Sequence, residues 1–171
     1  AGLFAALIFS ISVPIFSRGL IGWFKSEPLG LFFAFLALYL FVSGIKFNKG
    51  KISFIKLIAA GLFLSLALSS WGGALFFVLA ISIYYFSLPF VKHEKNFLLF
   101  ASPIFSFSLI IFSLLFERTA SFIIGYAGLA ILLPTGFIIG CEFIKKISNE
   151  SSLIRNYLIF LSAIVLSGIG A

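Results

Sequence analysis

The chain has 171 residues, 62% of them hydrophobic and 10% charged, with 25 Phe and a net charge of +7. A soluble domain could not cover its surface from this composition, so the chain is read as a membrane protein. The positive charge does not signal nucleic acid: the cations cluster in short gaps between apolar runs and form no stripe interleaved with aromatics on a polar face. The single Cys141 excludes an internal disulfide and is assigned a small buried or lipid-facing position.

Charges and Pro or Gly breaks divide the sequence into seven predicted membrane helices, at 2–17, 28–45, 52–70, 73–91, 97–116, 120–143 and 156–171. All but the terminal two approach the ~20 residues that span a bilayer. The predicted fold class is all-α, a polytopic transmembrane helix bundle of about seven helices, with no convincing internal repeat. Residues 1–171 are taken as a single transmembrane domain. Because the chain begins with Ala and closes inside an apolar run, it is read as an excerpt of something longer.

After the first helix comes "SRGLIGWFKSEPLG", residues 17–30, which places Arg18, Lys25 and Glu27 close together in an otherwise apolar chain. Pro28 suits a first helical turn, where its missing N–H is no loss, and Ser26 or Glu27 can cap the free amides. Arg18 has a simple role in snorkelling to the interface. Yet Gly19, Gly22, Trp23, Phe24 and a carboxylate just before a helix start form a concentrated set of groups. Carboxylates in such a loop bind divalent metals, while cations and helix-start amides bind phosphate. The residues leave both chemistries open.

The third and fourth helices meet at "SSWGGALFF", where two glycines after Trp71 permit a tight reversal and the indole anchors at a membrane interface. His93 lies in the solvated "VKHEKN" loop and, without a second ligand, is no metal site. Glu117 and Arg118 are read as the polar cap of a hairpin. Pro14, Pro103 and Pro134 fall inside apolar runs and are expected to kink their helices. Gly136 and Gly140 form a small-residue pair that lets a neighbouring helix approach. Glu94, Glu142 and Glu150 stand beside Lys or Arg and are read as interfacial ion pairs. Asn149-Glu150-Ser151 fits the glycosylation acceptor pattern but falls on the wrong side of the membrane to be modified.

Orientation follows from the loops. Nine cations, Lys46, Lys49, Lys51, Lys56, Lys92, Lys95, Lys145, Lys146 and Arg155, occupy one set of loops, against Arg18, Lys25 and Arg118 in the alternate set. The nine-cation side is read as cytoplasmic, so "SRGLIGWFKSEPLG" and the Trp71 turn face outward.

Two stretches carry a resemblance. "VPIFSRGLIGWFKSE", residues 13–27, is similar to the second external loop of the oligosaccharyltransferase catalytic subunit, which has Ser-Arg, a Gly, an aromatic pair and two acids separated by one residue. "SSWGGALFFVLAI", residues 69–81, is similar to that family's Trp-Gly-Gly turn. The resemblance, closest to an archaeal-type variant, implies glycan transfer from a polyprenyl (dolichyl) phosphate or pyrophosphate carrier to Asn of Asn-X-Ser/Thr sequons. It implies catalytic roles for Arg18 and Glu27, with Glu27 as ligand of a divalent ion (Mn2+ or Mg2+) whose other ligands lie outside this chain. Lys25 falls where the family has its first acid, and an ammonium, being donor-only, cannot coordinate a cation. Lys25 and Trp71 are therefore expected to contact the carrier's phosphate or the substrate.

The implied partners are the lipid-linked oligosaccharide, an acceptor polypeptide bearing a sequon and membrane lipid, with no nucleic acid. The implied setting is the extracytoplasmic face of a multi-pass protein, in the cell membrane if archaeal and the endoplasmic reticulum membrane if eukaryotic. Without the family's remaining carboxylates, this stretch alone is expected to be inactive. Other readings are a different polyprenyl-phosphate-sugar-dependent glycosyltransferase, a transporter or flippase, and a non-catalytic scaffold subunit. A transporter predicts ionisable groups or discontinuous helices near the midplane, and the predicted helix interiors hold almost no charge.

Overall fold

The computed structural model describes residues 2–11, 26–47, 50–91, 95–147 and 153–169, and every element among them is helical. In chain order these are α1 (Gly2–Ser10), α2 (Glu27–Phe47), α3 (Lys51–Ser70), a 3-10 turn (Gly72–Ala74), α4 (Leu75–Val91), α5 (Lys95–Leu114), α6 (Glu117–Ile124), α7 (Tyr126–Ile147) and α8 (Leu153–Ile169). Short connections make neighbours antiparallel. α2 packs along α3, α3 along α5, and α7 against both α4 and α5.

Four stretches among the described residues are long and apolar enough to cross a membrane: Glu27–Ile45, Lys51–Ser70, Gly72–Phe90 and Ala127–Lys145. Their outer faces carry large exposed apolar side chains, such as Phe76 at 76% and Ile83 at 70% exposure. A helix apolar on both its inner and outer faces suits a bilayer and not water. This is a membrane protein. α5 and α8 contain shorter apolar stretches, Leu99–Leu114 and Leu153–Ile164. Of the predicted first helix, residues 2–10 are helical and 12–17 lie outside the described residues.

Close approach in the core depends on small residues and on side-chain hydroxyls. Ala34, Ala37, Ala60, Ala67 and Ala101 are buried at the helix contacts, as expected where backbones must come together in lipid. At Gly61 a Cβ would lie 2.5 Å from Ser108 Oγ and 2.8 Å from the Leu109 amide nitrogen, so α3 and α5 touch almost backbone to backbone. Ser108 then donates a hydrogen bond to the Ile58 carbonyl at 2.8 Å. Ser106 and Thr135 bond at 2.7 Å across α5 and α7. Phe41 stands at the centre, its ring 4.8 Å from Phe105 and 5.6 Å from Tyr85 between centroids.

A second cluster joins α7 to α8 through Phe137, Cys141 and Tyr157. Cys141 is buried there. Gly140 meets the Phe160 ring, so the predicted small-residue approach is made at Gly140, whereas Gly136 has nothing near it. Pro103 and Pro134 lie within α5 and α7 without ending them. Pro14 and His93 lie outside the described residues.

The sequence predicts one helix over 120–143, and the structure divides it. α6 ends at Ile124, Gly125 leaves helical geometry with φ −91° and ψ −147°, and α7 starts at Tyr126. The cause lies in the side chains: Glu117, Arg118 and Ser121 give α6 an exposed polar face opposite buried Thr119 and Ile123, a pattern that suits an interface and not a bilayer interior. The break turns the Ile123 carbonyl onto Gly128, where any Cβ would collide with it. Gly128→Leu should therefore destabilise the protein by about 1–3 kcal/mol, the usual cost of overpacking, read as a lowered melting temperature. An unchanged melting temperature would show that the break can straighten.

Candidate functional site

The antiparallel order gathers three features at one end of the bundle: the start of α2, the turn between α3 and α4, and the start of α6. Lys51, Lys145 and Arg155 are exposed at the opposite end. Lys56, one turn into α3, reaches across to α2 and donates to Ser43 Oγ at 2.7 Å.

α2 begins as its residues dictate. The Gly30 amide donates to the Ser26 carbonyl at 2.9 Å, so Ser26 takes the cap position and Glu27 is the first helical residue. A carboxylate there lies where the helix amides favour negative charge. Glu27 is half-buried. One turn on, Gly30 rests against Trp71: a Cβ on Gly30 would lie 2.5 Å from Trp71 Cβ.

Trp71 closes α3 in extended geometry, with φ −147° and ψ 120°, and its amide donates to the Ala67 carbonyl at 2.8 Å. The Ala74 amide donates to the Trp71 carbonyl at 3.0 Å, which closes the 3-10 turn. The two glycines of the turn are not equivalent. A Cβ on Gly73 would strike the indole, whereas Gly72 has open space. The reversal therefore requires Gly at the second position only.

Glu117 and Arg118, read from the sequence as a hairpin cap, open the helix α6. Exposed Arg118 donates from Nη1 to the Ser69 carbonyl at 3.4 Å, tying α6 to the residues that lead into the Trp71 turn. Further along the bundle lies a cavity of about 310 Å³ formed by Leu75, Val78 and Leu79 of α4, Ser121 of α6, Gly125, and Ala127 and Ala130 of α7. Leu79, Ser121 and Gly125 of its wall are exposed. Sequence reasoning missed it because it exists only where the helix breaks; the one available signal was Gly125 within an apolar run.

Of the four predicted site residues, Glu27 and Trp71 are brought to the same end of the bundle, linked through Gly30. Arg18 and Lys25 lie outside the described residues. Among the described residues no three His, Cys, Asp or Glu side chains gather into a metal site. Glu27 and Glu117 are the carboxylates among the described residues at this end.

Glu142, read from the sequence as part of an interfacial ion pair, lies buried in α7. It is 8% exposed, and its Oε1 has no hydrogen-bond partner, because it faces inward on the side of α7 that packs on Tyr157. Glu94 and Glu150 lie outside the described residues.

Fold and site together define the class: an α-helical membrane bundle with a carboxylate-initiated helix, a Trp-Gly-Gly turn and an apolar cavity at one end. Comparison with models of known protein families, with characterised proteins and with solved structures finds no match to this chain.

Proposed function

We propose that the chain is part of the membrane domain of an oligosaccharyltransferase, moving a glycan from a polyprenyl phosphate or pyrophosphate carrier to Asn of Asn-X-Ser/Thr sequons. The contact of Gly30 with Trp71 carries the reading. It sets the helix that follows the first family-like stretch against the Trp71 of the second, as the antiparallel pairing of α2 and α3 allows. In this reading the chain crosses the membrane about seven times, and the Glu27 end faces outward, opposite the basic loops.

The chain's own groups then have distinct tasks. Glu27 supplies one oxygen donor for the divalent ion, Mn2+ or Mg2+, at a position where α2 fixes its backbone. That ion supplies charge stabilisation to the leaving phosphate when bound. Arg18 and Lys25 offer cations to the same phosphate, Arg18 as a planar fork and Lys25 as a point charge. Trp71 presents an amphipathic ring at the membrane boundary, and the cavity further along the bundle receives the isoprenoid end of the carrier.

Lys25, in place of an acid, favours one second reading, a polyprenyl-phosphate-sugar transferase with a different acceptor. A transporter is less well supported, since among the described residues the buried polar groups are Ser and Thr apart from Glu142. The test is transfer to a sequon peptide by the full-length protein. Chelation should abolish it and Mn2+ or Mg2+ should restore it. Transfer that is indifferent to chelation would remove the metal role of Glu27, and transfer of the sugar to a non-peptide acceptor only would favour the second reading.

A further inference from the structure

We propose that Glu142 and the Leu99 carbonyl form a binding site for a dehydrated Na+ ion between α5 and α7. The site is separate from the Glu27 end and does not rest on the function proposed above.

Two acceptors that lack a donor come to one level of the bundle. Glu142 lies within the membrane-crossing stretch Ala127–Lys145, is 8% exposed, and leaves Oε1 with no hydrogen-bond partner. A carboxylate oxygen left so in lipid is costly. On the facing helix, Pro103 lies inside α5 and has no N–H to give the carbonyl four residues back, that of Leu99.

α7 runs in the same direction as α4, since Leu75 and Val78 share a cavity with Ala127 and Ala130 while Phe86 and Phe90 further on meet Phe137. It is therefore antiparallel to α5. The Ser106–Thr135 hydrogen bond at 2.7 Å fixes the register of this pair. Leu99 precedes Ser106 by seven residues and Glu142 follows Thr135 by seven, so both stand roughly 10 Å along from that bond and nearly two full turns round, back on the facing sides.

Two such acceptors call for a cation. Tyr157 lies within electrostatic reach of Cys141, Glu142 and Lys145, and Lys145, the cation among these groups, is exposed and leaves Oε1 unpaired. A carboxylate and a carbonyl released from its helix are donors for a hard ion. One carboxylate balances one positive charge, so a monovalent ion leaves the site neutral and a divalent ion does not. Oε1 is closed to water, and bare Na+ is smaller than a water molecule whereas bare K+ is about as large. The ion is Na+ stripped of its shell.

The test is the melting temperature of the full-length protein in detergent, at fixed pH and ionic strength, as choline is replaced by Na+ or by K+. Na+ should raise it along a saturable curve, because an ion held by the folded state stabilises that state, and K+ should not. Glu142→Gln should abolish the Na+ response. Pro103→Ala, which restores an N–H to the Leu99 carbonyl, should weaken Na+ about tenfold, the scale of one charge-assisted contact. Should Glu142→Gln fail to fold, Pro103→Ala alone decides. Equal responses to Na+ and K+, no response to either, a Na+ response that survives Glu142→Gln, or one unchanged in Pro103→Ala would overturn the site. A rise on acidification that Na+ does not reproduce would make Glu142 a proton site and overturn the ion.

Discussion

Glu27→Gln in the full-length protein is expected to lower glycan transfer by more than about 100-fold, beyond the 10- to 100-fold typical of losing an outer-shell partner of a metal. The substitution keeps size and shape. It removes the negative charge that a divalent ion requires and leaves a weaker neutral oxygen. Because Glu27 stands at the first position of α2, the substitution also removes a favourable charge at the helix start, about 0.3–1 kcal/mol. Folding should therefore survive, and raised Mn2+ should recover part of the activity. Lys25→Ala should have a smaller effect, a raised KM for the carrier with kcat little changed. Wild-type transfer in both variants would remove this loop from the site.

Gly30→Leu should damage the site from a distance. Its Cβ would fall 2.5 Å from Trp71 Cβ, and Trp71 is held on two sides, by the hydrogen bond its N–H donates to the Ala67 carbonyl and by Gly73 against the indole. Neither partner can give way without disturbing α2 or the turn. A loss of about 1–3 kcal/mol in stability is expected, with transfer reduced in the surviving folded fraction. Adding Trp71→Gly to Gly30→Leu should recover part of the stability, because the Cβ that residue 30 would meet is removed, yet leave transfer impaired. Such coupling between contacting residues is what a double-mutant cycle reads. Additive losses in stability would mean that the two residues do not meet.

Parts of this arrangement were legible in the sequence. Pro28, the Lys46–Lys51 gap and Trp71-Gly72-Gly73 set the limits of α2, α3 and α4, because charge and turn chemistry are local signals that lipid makes stricter. The division at Gly125 was not legible: a lone Gly in an apolar run is ordinary in membrane helices, and only the placement of Gly128 against the Ile123 carbonyl shows what it does. The inward turn of Glu142 was hidden for a similar reason, since nearby Lys145 makes an ion pair the obvious expectation and only packing on Tyr157 decides the facing. The roles of Gly30 and Arg118 depend on contacts between segments far apart in the chain, which a linear reading cannot supply.

The most direct measurement of the central claim, that the Glu27–Trp71 end is an outward-facing site of glycan transfer, uses sealed membrane vesicles of defined orientation. They contain the full-length protein and its polyprenyl-linked glycan, with an Asn-X-Thr peptide added outside. Right-side-out vesicles should glycosylate the Asn, detected as a mass increase absent from a Gln-X-Thr control, and inverted vesicles should do so only after permeabilisation. Transfer by intact inverted vesicles alone, or no transfer in either orientation, would contradict the account.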